Sequence, residues 1–150
     1  MNNISQISKV GVGTLIISIK TSRVLLNLRS PHKTHPMCWS LFGGMMEDSE
    51  QPKEALLREL REEMGSEPDI ERIYPFDVYH SRDNHFKYYS FLTIVEEEFT
   101  PILNDENCGY CWIELGHWPK PMHLGAKTSF CNLKAIERIK TIINQHQQRQ

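Results

Sequence analysis

Glu59, Glu62 and Glu63 stand at i, i+3 and i+4 in the stretch 43–66, GGMMEDSEQPKEALLRELREEMGS, which holds seven acidic residues in all. In a helix, at about 100° per residue, these three carboxylates converge on one stripe. Like charges at that spacing repel by roughly a few tenths of a kcal/mol per pair. Either the stripe faces water, or a cation normally sits among the carboxylates. Oxygen donors so arranged suit magnesium or manganese, and such ions would offer a Lewis acid to a phosphate-rich substrate. Spacing alone does not separate a metal site from a solvated acidic face.

Other residues with chemical potential are more scattered. Cys108 and Cys111 form a Cys-x-x-Cys pair, a spacing used in thiol redox sites and in half of a zinc site. Redox use places the first cysteine at the start of a helix, whereas Trp112-Ile113-Glu114-Leu115 reads as strand. For zinc, His117 and His123 are at hand, but at no familiar spacing. The expectation is therefore two ordinary thiols. His32, His35, His80 and His85 fall in loops or strand ends and read as surface, with His80 and His85 also placed to line a pocket. Trp39, Tyr79, Phe86 and Tyr88 could stack on a base or simply pack.

The elements that must position these groups are legible in outline. Residues 10–19 and 23–28 are rich in β-branched and aliphatic side chains around Lys20-Thr21-Ser22 and read as a hairpin. The segment 30–36, SPHKTHP, is a loop. Residues 52–64 form the best helix, with Asp48 or Ser49 as cap, Pro52 in the first turn and a left-handed Gly65 at the end. Its apolar stripe is Leu56, Leu60 and Met64. Residues 71–80 and 85–98 read as strands joined by a turn at 81–84, and 110–115 as a short strand. Leu133, Ile136, Ile139 and Ile143 have helical spacing within a helix over 128–145. The Gln-rich tail over about 144–150 is expected to fray. Strands on both sides of an internal helix, with a second helix at the end, predict a mixed sheet with helices on both faces.

Composition sets bounds on this reading. A chain of 150 residues, 39% hydrophobic and 24% charged, fits one domain over 1–150. A net charge of -2 without a basic tract argues against a general nucleic-acid or membrane binder. The first ten residues lack a signal-peptide layout, and the apolar run 10–19 is too short to span a bilayer. Four cysteines make no disulfide framework, so the expected setting is cytoplasmic.

Taken whole, the acidic string resembles the Nudix box. Gly44 is followed after five residues by Glu50 and after seven more by Arg58-Glu59-Leu60-Arg61-Glu62-Glu63-Met64-Gly65. Only the last position departs, where Ser66 replaces an aliphatic residue, and that touches packing after the helix. The segment 24–30, VLLNLRS, is similar to the family's second strand, 39–44 (WSLFGG) to its Trp-x-x-Pro-Gly-Gly entry with Phe42 for proline, and 103–115 to its later loop and strand. The resemblance implies an α/β/α sandwich and a metal-dependent pyrophosphohydrolase. Glu59, Glu62, Glu63 and the Gly43 carbonyl would hold magnesium or manganese. Arg58 would pair with Glu50 and fix the loop carrying Gly44, and Gly65 would close the helix. The general base would be Glu59 or Glu106, and Arg29 is the candidate phosphate contact. The partner implied is a small-molecule nucleotide: a nucleotide sugar, a dinucleotide or a nucleoside triphosphate. A homodimer is left open as the assembly. Subfamily signatures with proline or tyrosine some sixteen to eighteen residues past the box meet Arg82, Asp83 and Asn84 instead, so the substrate is not readable. The alternative is a non-catalytic nucleotide sensor on the same fold, although such proteins lose box carboxylates that are present here.

Overall fold

The computed structural model describes residues 9–149, so most of the N-terminal stretch read for a signal peptide, and Gln150, lie outside the described residues. The predicted hairpin forms from β1 (Lys9–Ser18) and β2 (Arg23–Arg29), antiparallel with Ile16 opposite Leu25. Residues 11–18 of β1 are all buried, which fits a near-continuous apolar run covered on both faces. On one side β1 lies parallel to β6 (Phe86–Val95) over its whole length, and β5 (Ile70–His80) closes that edge antiparallel to β6.

On its other side β1 is shared. β2 takes Ile16 and Ile17, while β4 (Phe42–Met45) pairs with residues 11–14. β2 meanwhile pairs with the short β3 (Trp39–Ser40) and, along its far side, with β7 (Asn107–Glu114). The sheet therefore forks between β1 and β2. The Asn27 side-chain amide donates to the Leu41 carbonyl at 2.8 Å across the fork.

Helix α1 (Pro52–Met64) covers one face through Leu56, Leu60 and Met64, which pack with Val12, Ile16, Leu25 and Phe42. Helices α2 (Leu124–Phe130) and α3 (Leu133–Gln148) cover the other, where Phe130, Ile139 and Ile143 meet Leu15, Ile17, Leu26 and Ile94. The mixed sheet with helices on both faces is the architecture expected.

Several local expectations are corrected. The helix expected over 128–145 is two helices, because the Asn132 side chain accepts from the Ala135 amide at 2.9 Å and starts a new one. Its inward face is Ala135, Ile139, Ile143 and His146, and Leu133 is 80% exposed rather than core. Where fraying is expected from about 144, α3 continues to Gln148, with His146 against the Tyr74 hydroxyl at 2.8 Å and the Gln147 amide donating to the Ile19 carbonyl at 3.0 Å. Neither Asp48 nor Ser49 caps α1. Gln51 holds that position without a side-chain bond, and Ser49 lies in a left-handed turn at φ 70°. Strand β6 stops at Val95, and the next glutamates leave the sheet to pair Glu97 with Lys20 and Glu98 with Arg23. Gly65 ends α1 at φ 74°, as its residue type suggests.

Candidate active site

The acidic site assembles where α1 crosses the forked edge of the sheet. Gly43 and Gly44 on β4 bring the backbone close under α1: a Cβ on Gly44 would fall 2.4 Å from the Glu59 carboxylate, and one on Gly43 would fall 2.0 Å from the Val12 carbonyl. At Gly43 the obstacle is backbone, so no side chain fits, whereas at Gly44 a side chain fits only if the Glu59 carboxylate moves away. Glu59 and Glu63, one helical turn apart, are buried against this glycine floor, and Glu63 is only 3% exposed. Glu106 reaches them from the turn before β7, and one oxygen of each of the three carboxylates lies within 4.8 Å of the others.

Glu62 is not in this cluster. It sits some 60° around α1 from Glu59 and 100° from Glu63, its side chain is 53% exposed, and it accepts from Arg58 at 3.3 Å. The three carboxylates that lie together are Glu59, Glu63 and Glu106, with Glu62 beside them on α1.

Arg58 occupies the centre of the surrounding network. Its Nε and Nη2 donate to the two Glu50 oxygens at 2.8 and 2.9 Å, Nη2 also to the Met45 carbonyl at 2.9 Å, and Nη1 to Glu59 at 3.0 Å. These hydrogen bonds hold the Glu50 carboxyl down to about 2, and Glu50 in turn accepts from the Glu47 amide at 2.7 Å. Arg58 therefore ties the loop after β4 to the helix and fixes one Glu59 oxygen.

Burial and mutual repulsion both act against the ionised forms of these carboxylates, so a cation would be favoured among them. Burial raises the Glu59 carboxyl above its ordinary range, against the pull of Arg58. Burial raises Glu63 further, with Glu59 and Glu106 adding repulsion. What Glu63 receives in return is weak: the Gly43 amide at 3.4 Å and the Asn107 side-chain amide at 3.5 Å. A buried carboxylate so thinly compensated, among all-oxygen neighbours, fits magnesium or manganese.

The remaining candidate residues are spread over the molecule. The Arg29 guanidinium donates to the Thr34 carbonyl and hydroxyl, inside its own loop. Tyr88 lies over Gly11 and Gly13, where a Cβ on Gly13 would fall 1.8 Å from its hydroxyl. Trp39 is half-buried beside that ring's cluster, and Tyr79 is exposed on the edge strand. His35 and His123 meet edge to face at 4.9 Å, and His32, His80 and His85 are exposed. Cys108 is exposed, Cys111 packs on the core, and both are free thiols. Among the described residues the only cluster of three or more potential metal ligands is the glutamate one.

Sequence reading missed Asn104, Asn107 and Lys33. Asn104 accepts from the Glu106 amide at 3.0 Å and donates to the Glu62 carbonyl at 3.0 Å, fastening the Glu106 turn to α1. The polar run Asn104–Asn107 was the available signal for the two asparagines. Nothing local marked Lys33, whose contact with Glu106 spans 73 positions.

A family model described as NUDIX domain matches residues 8–133. A dihydroneopterin triphosphate diphosphatase of Haemophilus influenzae is 32% identical over 114 residues, covering 66% of this chain and 70% of that protein. A nucleoside triphosphatase, NudI, of an Enterobacter species is 38% identical over 61 residues, covering 41% of this chain and 43% of its own length. In shape, a MutT protein from Methanosarcina mazei matches with a TM-score of 0.68 over 93% of this chain and 98% of that one, at 20% identity.

Proposed function

This chain belongs to the Nudix family of hydrolases that cleave phosphoric anhydride bonds, and on that premise we propose that it is a metal-dependent pyrophosphohydrolase of a small nucleotide-like substrate. The observation that carries the reading is the convergence of Glu59, Glu63 and Glu106 on one point beside the Gly43–Gly44 floor. Both curated relatives are named for triphosphate substrates, so a triphosphate ester is the substrate class to test first.

Glu59 and Glu63 would hold magnesium or manganese, with the Gly43 carbonyl as a backbone ligand and Glu62 at the open side. A divalent cation there supplies charge neutralisation and Lewis acidity toward a diphosphate. Arg58 keeps Glu59 in position and braces the loop through Glu50. Glu106, less buried and carried by a turn fastened at Asn104, takes the proton from the attacking water as general base. Water then attacks one phosphorus of the anhydride joining the α-phosphate to the rest of the substrate, and the bridging oxygen leaves with the other phosphorylated portion, with no covalent enzyme intermediate. The products are a nucleoside monophosphate and the remaining phosphorylated moiety. Arg29 sits at the rim, where its loop would meet the phosphates.

The test is turnover of a nucleotide panel, triphosphates included, in magnesium and in excess chelator, with product identification in water labelled with heavy oxygen. Release of pyrophosphate or phosphate that depends on the ion supports the reading. Tight nucleotide binding with no turnover of any member would favour the sensor alternative.

A further inference from the structure

We propose that Lys33 is a polyphosphate-binding residue of this site, held by Glu106 until the carboxylates take up their ions; the proposal rests on the metal-dependent reading above. Lys33 lies in the loop joining β2 to β3, and that loop is folded onto the site from two sides. Arg29 donates from Nε and Nη2 to the Thr34 carbonyl at 2.8 and 2.6 Å, and the Lys33 amide donates to the Ser30 carbonyl at 3.2 Å. The Ser30 amide and hydroxyl donate to the Glu106 and Asp105 carbonyls at 3.0 and 2.7 Å. The result places the Lys33 ammonium 3.4 Å from a Glu106 oxygen, with both side chains partly exposed.

Two cations touch the carboxylate cluster among the described residues, and they differ in what they can still do. Arg58 is engaged on every nitrogen, with Glu50, Met45, Glu59 and Glu62. Lys33 has a single carboxylate partner at a long distance, and an ammonium carries three donors. Arg29, the other cation on this loop, has its fork occupied by Thr34 and acts as a positioning residue for the loop. When divalent ions neutralise the cluster, Glu106 loses its hold on the ammonium. The anion that then lies within reach is the polyphosphate brought in by the ions themselves. Lys33 thus exchanges one carboxylate for a phosphate oxygen without any rearrangement of the backbone.

The experiment compares the full chain with Lys33→Met and Lys33→Arg by calorimetry. One titration uses manganese alone; the other uses an α,β-methylene nucleoside triphosphate at saturating manganese, and thermal melts check that both variants fold. Lys33→Met should bind manganese roughly two- to fivefold more tightly, because a competing surface charge is gone. It should bind the analogue about tenfold more weakly, and Lys33→Arg should restore most of that affinity. Unchanged analogue affinity in Lys33→Met would overturn the proposal and leave Lys33 an ordinary surface counter-ion, and so would weaker manganese binding. If the unaltered chain binds neither manganese nor the analogue, the reading of the site itself fails, and this inference goes with it.

Discussion

Gly44→Ala tests the site through a single methyl group. The added Cβ would lie 2.4 Å from both Cδ and Oε2 of Glu59, whereas an ordinary contact is at least about 3.4 Å, so the carboxylate must retreat by about 1 Å. Magnesium demands near-ideal octahedral geometry at about 2.0–2.1 Å, and a displacement of about 1 Å can lower the rate roughly 10²-fold. The backbone at Gly44 is not in a left-handed conformation, so alanine should change stability by less than about 1 kcal/mol, the loss of unfolded-chain entropy offsetting the crowding. The assay is kcat/KM in magnesium, manganese affinity by calorimetry, and the melting temperature. The expected outcome is a fall of about 100-fold in kcat/KM, weaker ion binding and a nearly unchanged melt. The control is Glu59→Ala, which empties the space: on that background Gly44→Ala should leave manganese affinity where Glu59→Ala alone puts it. Equal losses on both backgrounds, or a fully active Gly44→Ala, would refute the argument that Gly44 is small to seat Glu59.

Glu106→Gln should lower kcat by roughly 10²–10⁴-fold while manganese affinity stays close to that of the unaltered chain; a large drop in that affinity would make Glu106 a ligand instead. Arg58→Ala should lower both the melting temperature and the rate, because it strands Glu50 and frees the loop at Met45; loss of rate with an unchanged melt would point to direct substrate contact. The raised carboxyls of Glu59 and Glu63 fix a sign as well. The ion-free folded state holds their protons more tightly than the unfolded chain, so their ionisation opposes folding. The penalty is absent below the ordinary glutamate value and grows as pH rises through the folded values. The gain in melting temperature from magnesium should therefore widen as pH rises above the ordinary glutamate range, and a gain of constant size would contradict the assignment.

Much of this was legible because it is local. The helix Pro52–Met64, its apolar stripe and its closing glycine follow from residues within a few turns of one another; the pairing of Arg58 with Glu50, eight positions apart, came from the family resemblance. What sequence could not show was which carboxylates meet. Helical spacing puts Glu62 beside Glu59 as readily as Glu63, and only the position of β4 decides which faces inward. Glu106 enters the cluster because β7 pairs with β2 and its preceding turn docks on Ser30, contacts that span some 75 positions. The break at Asn132 was missed for the opposite reason. A local cap was present at Asn132, and the apolar spacing begins only after it, at Leu133, so a helix drawn back to Thr128 runs through the cap.

The pairing of β1 with β6 also orders events in time. Every residue of β1 meets a partner 77 positions further along the chain, as Thr14 does Phe91. Closing so long a loop costs about 2 kcal/mol more than closing one of about ten residues, and non-local parallel pairing is slow to form. During synthesis the hairpin, β4 and the acidic helix all emerge before β6 exists. Until β6 arrives, β1 lacks its longest neighbour and α1 lacks Phe91 and Val95 from its bed. The Glu106 turn comes later still. The carboxylates are therefore gathered last, and a nascent or truncated chain ending before residue 86 should carry the whole acidic motif yet leave its glutamates solvated and far apart.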